Sequence, residues 1–259
     1  MPHETSVQPK LADLLAKYLE RQADAQADGI VTYDGEVTPY EVGPVQPLDP
    51  KAAWDETVAA LQFHGQAPSK RLQAPPHWSQ LVGGHESIVA IAFSVGNFPQ
   101  LMRSFHEVLA HPNLAEMRPS AGRPSTVELT PWLEQVAQKR EFPAMLLALG
   151  TLRLAKDFAA ADAFARAHDA DVPASWRTAW ENEKAALAWH AGQHDEARKI
   201  WDRLEPTAPV LFNRGMAALF AGDTAIAKKH LTDAIARIPS SSAWHHLGRL
   251  YLTLADLRR

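Results

Sequence analysis

His106-Glu107-Val108-Leu109-Ala110-His111 is the stretch that comes nearest to a catalytic motif. A zinc-peptidase helix places two histidines at i and i+4, about 40° apart around the axis, so that both imidazoles reach one metal. Here the spacing is five residues, which at 100° per residue turns the two side chains about 140° apart. The reading is a helix surface with a C-terminal histidine facing the helix dipole, and no metal is expected. His245 and His246 are adjacent, so their rings diverge on a helix, while His190 and His194 flank a turn. Gly83-Gly84-His85-Glu86-Ser87 offers a hydroxyl nucleophile but lacks the Gly-x-Ser-x-Gly elbow. No phosphate loop or dinucleotide fingerprint is present. Asp195-Glu196 and the pair Glu181 and Glu183 fall where solvated helix ends or faces are expected. No catalytic constellation emerges, and no cofactor is implied.

Composition narrows the classes further. The chain has 259 residues, enough for a substantial core, and 46% of them are hydrophobic against 22% charged, as in a soluble globular protein. No apolar run reaches the roughly 18 residues of a membrane span. Met1-Pro2-His3-Glu4-Thr5 is not a basic region leading into an apolar core, so a cytoplasmic protein is expected. The absence of cysteine excludes disulfides, zinc-thiolate sites and thiol catalysis. Residues 1–192 carry 16 basic and 23 acidic side chains and residues 193–259 carry 10 and 7, a mild split that reads as solvated helix faces. Nucleic-acid binders concentrate basic residues in a stripe, and none is visible, so no nucleic-acid partner is expected.

The elements that would position these side chains are mostly helical. Residues 10–27 place Leu11, Leu14, Leu15, Tyr18 and Leu19 on one helix face. Gly29 to Thr38 contains Asp34-Gly35 between β-prone runs, which reads either as a hairpin or as an irregular linker. Pro39, Pro44, Pro47 and Pro50 keep the chain extended until a helix begins near Lys51, its buried side marked by Trp54, Val58 and Leu61. Residues 64–84 form a connector. Ile88, Ile91, Ala92 and Val95 recur at helical spacing and predict a helix stopped by Gly96-Asn97. Phe98-Pro99 starts the next one, carrying Leu101, Phe105, Val108 and Leu109, and a further helix is expected over 127–139. Lys156-Asp157, Gly192-Gln193 and Gly222-Asp223 mark hairpin reversals, and short loops between helices mean antiparallel neighbours.

One hairpin pattern is written out and then begun again. Leu211, Gly215, Ala227, Leu231, Ala234 and Pro239 are followed by Trp244, Leu247, Gly248 and Tyr251, with Gly248 thirty-three residues after Gly215. These residues resemble the tetratricopeptide repeat, most clearly over 208–251 and more loosely over about 120 residues; residues 1–84 show no match. The resemblance implies an all-α fold, a right-handed stack of antiparallel hairpins (a TPR-like α-solenoid) over residues 85–259, after an irregular N-terminal region over 1–84. It implies a non-catalytic adaptor or scaffold whose partner is another protein or peptide segment. In that register the groove-facing set includes Asn182, Trp189, His190, Phe212, Met216, Phe220, His245 and Arg249. The lysine-asparagine set that family members use for a peptide carboxylate is lacking, so the expected ligand is an amphipathic helix or an extended apolar segment. The C-terminal segment or an N-terminal segment of the chain itself is the alternative occupant. Two other classes stay open: a hydrolase-type enzyme with a site in residues 64–126, where Gly83-Gly84-His85-Glu86 and His106 would converge, and a self-assembling homo-oligomer. Of the eight tryptophans, most are expected in the core.

Overall fold

The computed structural model describes residues 30–31, 37–38, 50–65, 72–81, 91–96, 98–109 and 126–258. The chain divides into two units, Met1–Gln46 and Pro47–Arg259, so the helical body begins upstream of the boundary expected at 84/85. In the first unit, strands β1 (Ile30–Val31) and β2 (Val37–Thr38) pair antiparallel, Ile30 opposite Thr38 and Val31 opposite Val37. Of the two readings of this stretch, these strands are those of a hairpin. The helix expected over 10–27 lies outside the described residues.

Among the described residues the second unit is built of helices and 3₁₀ turns. Helix α1 (Pro50–Ala60) runs into a 3₁₀ turn, Leu61–His64, that ends on Gly65 at φ 85°. Helix α2 (Trp78–Leu81) packs Trp78 edge-on against Trp54 at 5.0 Å, and the Trp54 indole N–H donates to the Leu72 carbonyl. Next come α3 (Phe98–Leu109) and α4 (Thr126–Lys139). Three helix pairs then follow: α5 (Ala144–Leu154) with α6 (Phe158–His168), α7 (Arg177–His190) with α8 (His194–Arg203), and α9 (Ala208–Phe220) with α10 (Thr224–Ile235). Helix α11 (Ala243–Leu257) closes the chain and packs on both α10 and α3.

The three pairs reverse through one turn geometry. Lys156, Gly192 and Gly222 sit in the left-handed region at φ 61°, 85° and 84°. Each donates its N–H to the carbonyl three residues back (Arg153, Trp189, Leu219), and the following residue donates to the carbonyl five back (Leu152, Ala188, Ala218). This is the Schellman arrangement, which satisfies carbonyls that a helix end leaves free. In two of the three, the next helix starts on an aspartate cap: Asp157 accepts from the Ala160 N–H and Asp223 from the Ile226 N–H.

Small residues let the paired helices approach. A Cβ on Gly215 would lie 2.7 Å from Leu231 Cγ, and one on Gly248 would lie 2.9 Å from Ile235 Cγ1. Ala161, Ala197 and Ala227, at matching places on the second helices, are fully buried. Neighbouring pairs are tied by polar contacts as well. Arg214 on α9 donates from Nε to the Trp201 carbonyl and from Nη2 to the Leu204 carbonyl, capping the end of α8. Seven of the tryptophans are buried, and Trp189 is half-buried.

Candidate functional site

The first helices of the pairs share a buried polar row. On α7, Asn182 and Glu183 are inaccessible, and on α9 so is Asn213. Polar side chains this deep require partners. The partners come from a distant part of the chain, the segment Ile91–Gly96, which runs between the first helices and is buried throughout.

The grip on this segment is directed at its backbone. The Ala92 carbonyl accepts from Asn182 Nδ2 at 2.8 Å and from Asn213 Nδ2 at 2.8 Å. Asn213 Oδ1 accepts the N–H groups of Ser94 at 2.8 Å and Val95 at 3.1 Å. The Ser94 carbonyl accepts from His190 Nε2–H at 2.7 Å. Behind these contacts, Asn182 Oδ1 accepts from the Trp201 indole at 3.0 Å and from Asn213 Nδ2 at 2.9 Å, which fixes both amide orientations. The Ser94 hydroxyl donates to Glu183 Oε2 at 3.2 Å, and Glu183 Oε1 takes the Arg153 Nε–H at 2.5 Å in an ion pair closed to solvent. His190 keeps part of its surface in water, but its Nε2 edge points inward. Withdrawal from solvent first, then the charge of Arg153, lowers its pKa to about 4, so the ring is neutral when it donates to Ser94.

Side chains of the segment fill fitted places. Phe93 stacks on Trp244 at 4.7 Å and meets Phe212 edge-on at 5.3 Å and Phe63 at 5.6 Å. Ile91 packs where Gly150 leaves room, a Cβ there lying 2.7 Å from Ile91 Cγ1. Gly96 turns at φ 88°, and a side chain on it would strike Met216 Cε and Tyr251 Oη at 2.7 Å. Among the described residues the Trp244 indole N–H finds no partner.

The helix expected from Ile88, Ile91, Ala92 and Val95 is therefore corrected over residues 91–96, which are non-helical with Ala92 at φ 80°. Residues 88 to 95 are apolar apart from Ser94, with no polar face to turn to water. A short all-apolar run satisfies helical periodicity and suits a fully buried thread equally well.

The expected groove residues separate into two sets. Phe212 and Met216 are fully buried, Phe212 edge-on to Phe93 and Met216 beside Gly96 of the same chain, and His190 holds Ser94. Trp189 lies half-buried beside His194 at 4.3 Å and Phe220 at 6.3 Å. His245 is half-buried with Nδ1 3.0 Å from the Ile238 carbonyl, and Arg249 is exposed. The structure thus places residues 91–96 of the chain itself against Phe212, Met216 and His190, an internal stretch where the sequence suggests a terminal segment as the alternative occupant. Glu183, expected with Glu181 on a solvated helix face, is instead buried, because the Arg153 guanidinium and the Ser94 hydroxyl take the place of water around its carboxylate; Asn213 and Arg153 belong to the same row and carried no sequence expectation. The signal available was the thirty-residue step from Glu183 to Asn213, the same as from Ala185 to Gly215, which puts two polar residues at one repeat position.

Gly83-Gly84-His85-Glu86, His111 and the His106 side chain lie outside the described residues. Among the described residues, no three His, Asp or Glu side chains gather as a metal site, and no helix is long and apolar enough to cross a membrane. No protein-family model, curated protein or solved structure matches the chain.

Proposed function

We propose that this chain is a TPR-like adaptor, a stack of antiparallel helical hairpins whose first helices grip a non-helical stretch of polypeptide by its backbone. Residues 91–96 occupy that grip in the resting chain, and a partner segment enters by taking their place. The observation that carries this reading is the bidentate use of Asn213: one side chain both accepts from Ser94 and Val95 and donates to Ala92. Amide side chains aimed at main-chain groups recognise a peptide whatever its sequence, as strand-adding interfaces do. The repeated turns, the small residues at hairpin crossings and the matching buried alanines support the stacked architecture.

The test is a panning experiment with random linear peptides displayed on phage. A Phe93→Ala chain, whose own segment has lost its aromatic anchor, is expected to enrich binders at least tenfold over the unaltered chain. Adding Asn213→Ala to it should abolish the enrichment. Equal, background-level recovery on all three chains would remove the reading.

A further inference from the structure

We infer that the ligand class of this face is a non-helical apolar peptide carrying Phe, then a hydroxyl residue, then glycine two positions further on, in the manner of Phe93-Ser94-Val95-Gly96. The inference rests on the peptide-gripping reading and adds side-chain selection to it. Three contacts set the pattern, and each rejects a different error.

The first position needs an aromatic ring, because Phe212, Trp244 and Phe63 surround it on three sides at 4.7–5.6 Å. An aliphatic residue there leaves part of that cage empty. The second position needs a neutral hydroxyl donor. Glu183 Oε2 takes the Ser94 O–H while Glu183 Oε1 is held by Arg153, and both charged side chains are closed to water. A phosphorylated serine would set a dianion against the Glu183 carboxylate in that closed space, so it is refused. The fourth position must be glycine. The backbone there is at φ 88°, and Met216 Cε and Tyr251 Oη stand 2.7 Å from where a Cβ would be.

The occupant the chain supplies is not a perfect one. The Trp244 ring that stacks on Phe93 buries its indole N–H without a partner among the described residues, so a partner segment with an acceptor in reach gains a hydrogen bond that residues 91–96 do not supply. Competition is nevertheless against a tethered segment, whose effective concentration is high. Partner binding to the unaltered chain is therefore weak until residues 91–96 are loosened.

The probe is a synthetic nonapeptide with the sequence of residues 89–97, Val-Ala-Ile-Ala-Phe-Ser-Val-Gly-Asn, added to the full-length Phe93→Ala chain. Binding of a ligand to the native state raises the midpoint of unfolding. The expected result is an upward shift of several degrees for the Phe93→Ala chain and none for the unaltered chain. Peptides with Phe→Ala, phosphoserine for serine, or Gly→Ala should each bind at least tenfold more weakly. If Phe93→Ala does not fold alone, the same peptide is expected to restore its helical circular dichroism, and a Val95→Ala chain provides a milder opened form for the same titrations. Equal binding of all four peptides overturns the selection while leaving the peptide-gripping reading intact. No binding or rescue by any of them, in either variant, overturns both.

Discussion

Asn213 accepts two backbone N–H groups and donates to a carbonyl, and truncating it leaves Ser94 N–H and Val95 N–H buried without an acceptor. Each such orphan costs about 1–3 kcal/mol, so Asn213→Ala is expected to destabilise the chain by about 2–6 kcal/mol in urea unfolding. His64 is a second residue with a defined physical consequence. It lies on the 3₁₀ turn that carries Phe63 against Phe93, hydrogen-bonds Thr207 through Nδ1 at 3.2 Å, and among the described residues has no partner at Nε2. Burial lowers its pKa from 6.5 to about 3, so between those values the unfolded chain binds a proton that the folded chain does not. Stability from this residue is full above pH 6.5 and is lost as pH falls toward 3. His190 acts in the same direction over a narrower window, with its pKa lowered to about 4. The difference in unfolding free energy between the unaltered chain and His64→Gln should therefore shrink as pH drops from 6.5 to 3, and a constant difference would contradict it.

Among the elements, the three hairpin turns give an internal comparison. Gly192 and Gly222 adopt positive φ with open space around them, whereas Lys156 adopts the same conformation at φ 61° with a side chain. A non-glycine residue in the left-handed region costs roughly 1 kcal/mol, partly offset by the greater freedom of glycine in the unfolded chain. Lys156→Gly is expected to raise stability by about 0.5–1 kcal/mol, and Gly222→Lys to lower it by a similar amount, both measured by thermal unfolding. These turns were legible in the sequence because glycine, aspartate and the alanine spacing act locally. So were α3, between Phe98-Pro99 and His111-Pro112, and α4, expected over 127–139, where apolar residues recur on one face; α5 and α9 are buried on nearly every side and were legible only through the turns that end them. Residues 91–96 were misread because an all-apolar run carries no facing information. What makes them a thread is the polar row of α7 and α9, 90 residues and more away in sequence.

For the whole molecule, the candidate site exists only once the chain is folded: Ser94 meets Glu183 across 89 residues and Asn213 across 119. Phe212 and Met216, expected on an open groove from the resemblance in 211–251, lie instead beneath residues of the same chain. The central claim is that this face holds polypeptide by its backbone, with residues 91–96 as the resident occupant. Native-state amide hydrogen exchange of Ser94 and Val95 tests it most directly, since their N–H groups bond to the Asn213 side chain and to no helix. The account predicts protection within about tenfold of the α9 amides over Leu211–Leu219, falling by at least a hundredfold in Asn213→Ala. Exchange of Ser94 and Val95 at the rate of an unprotected loop, while α9 stays protected, would contradict it.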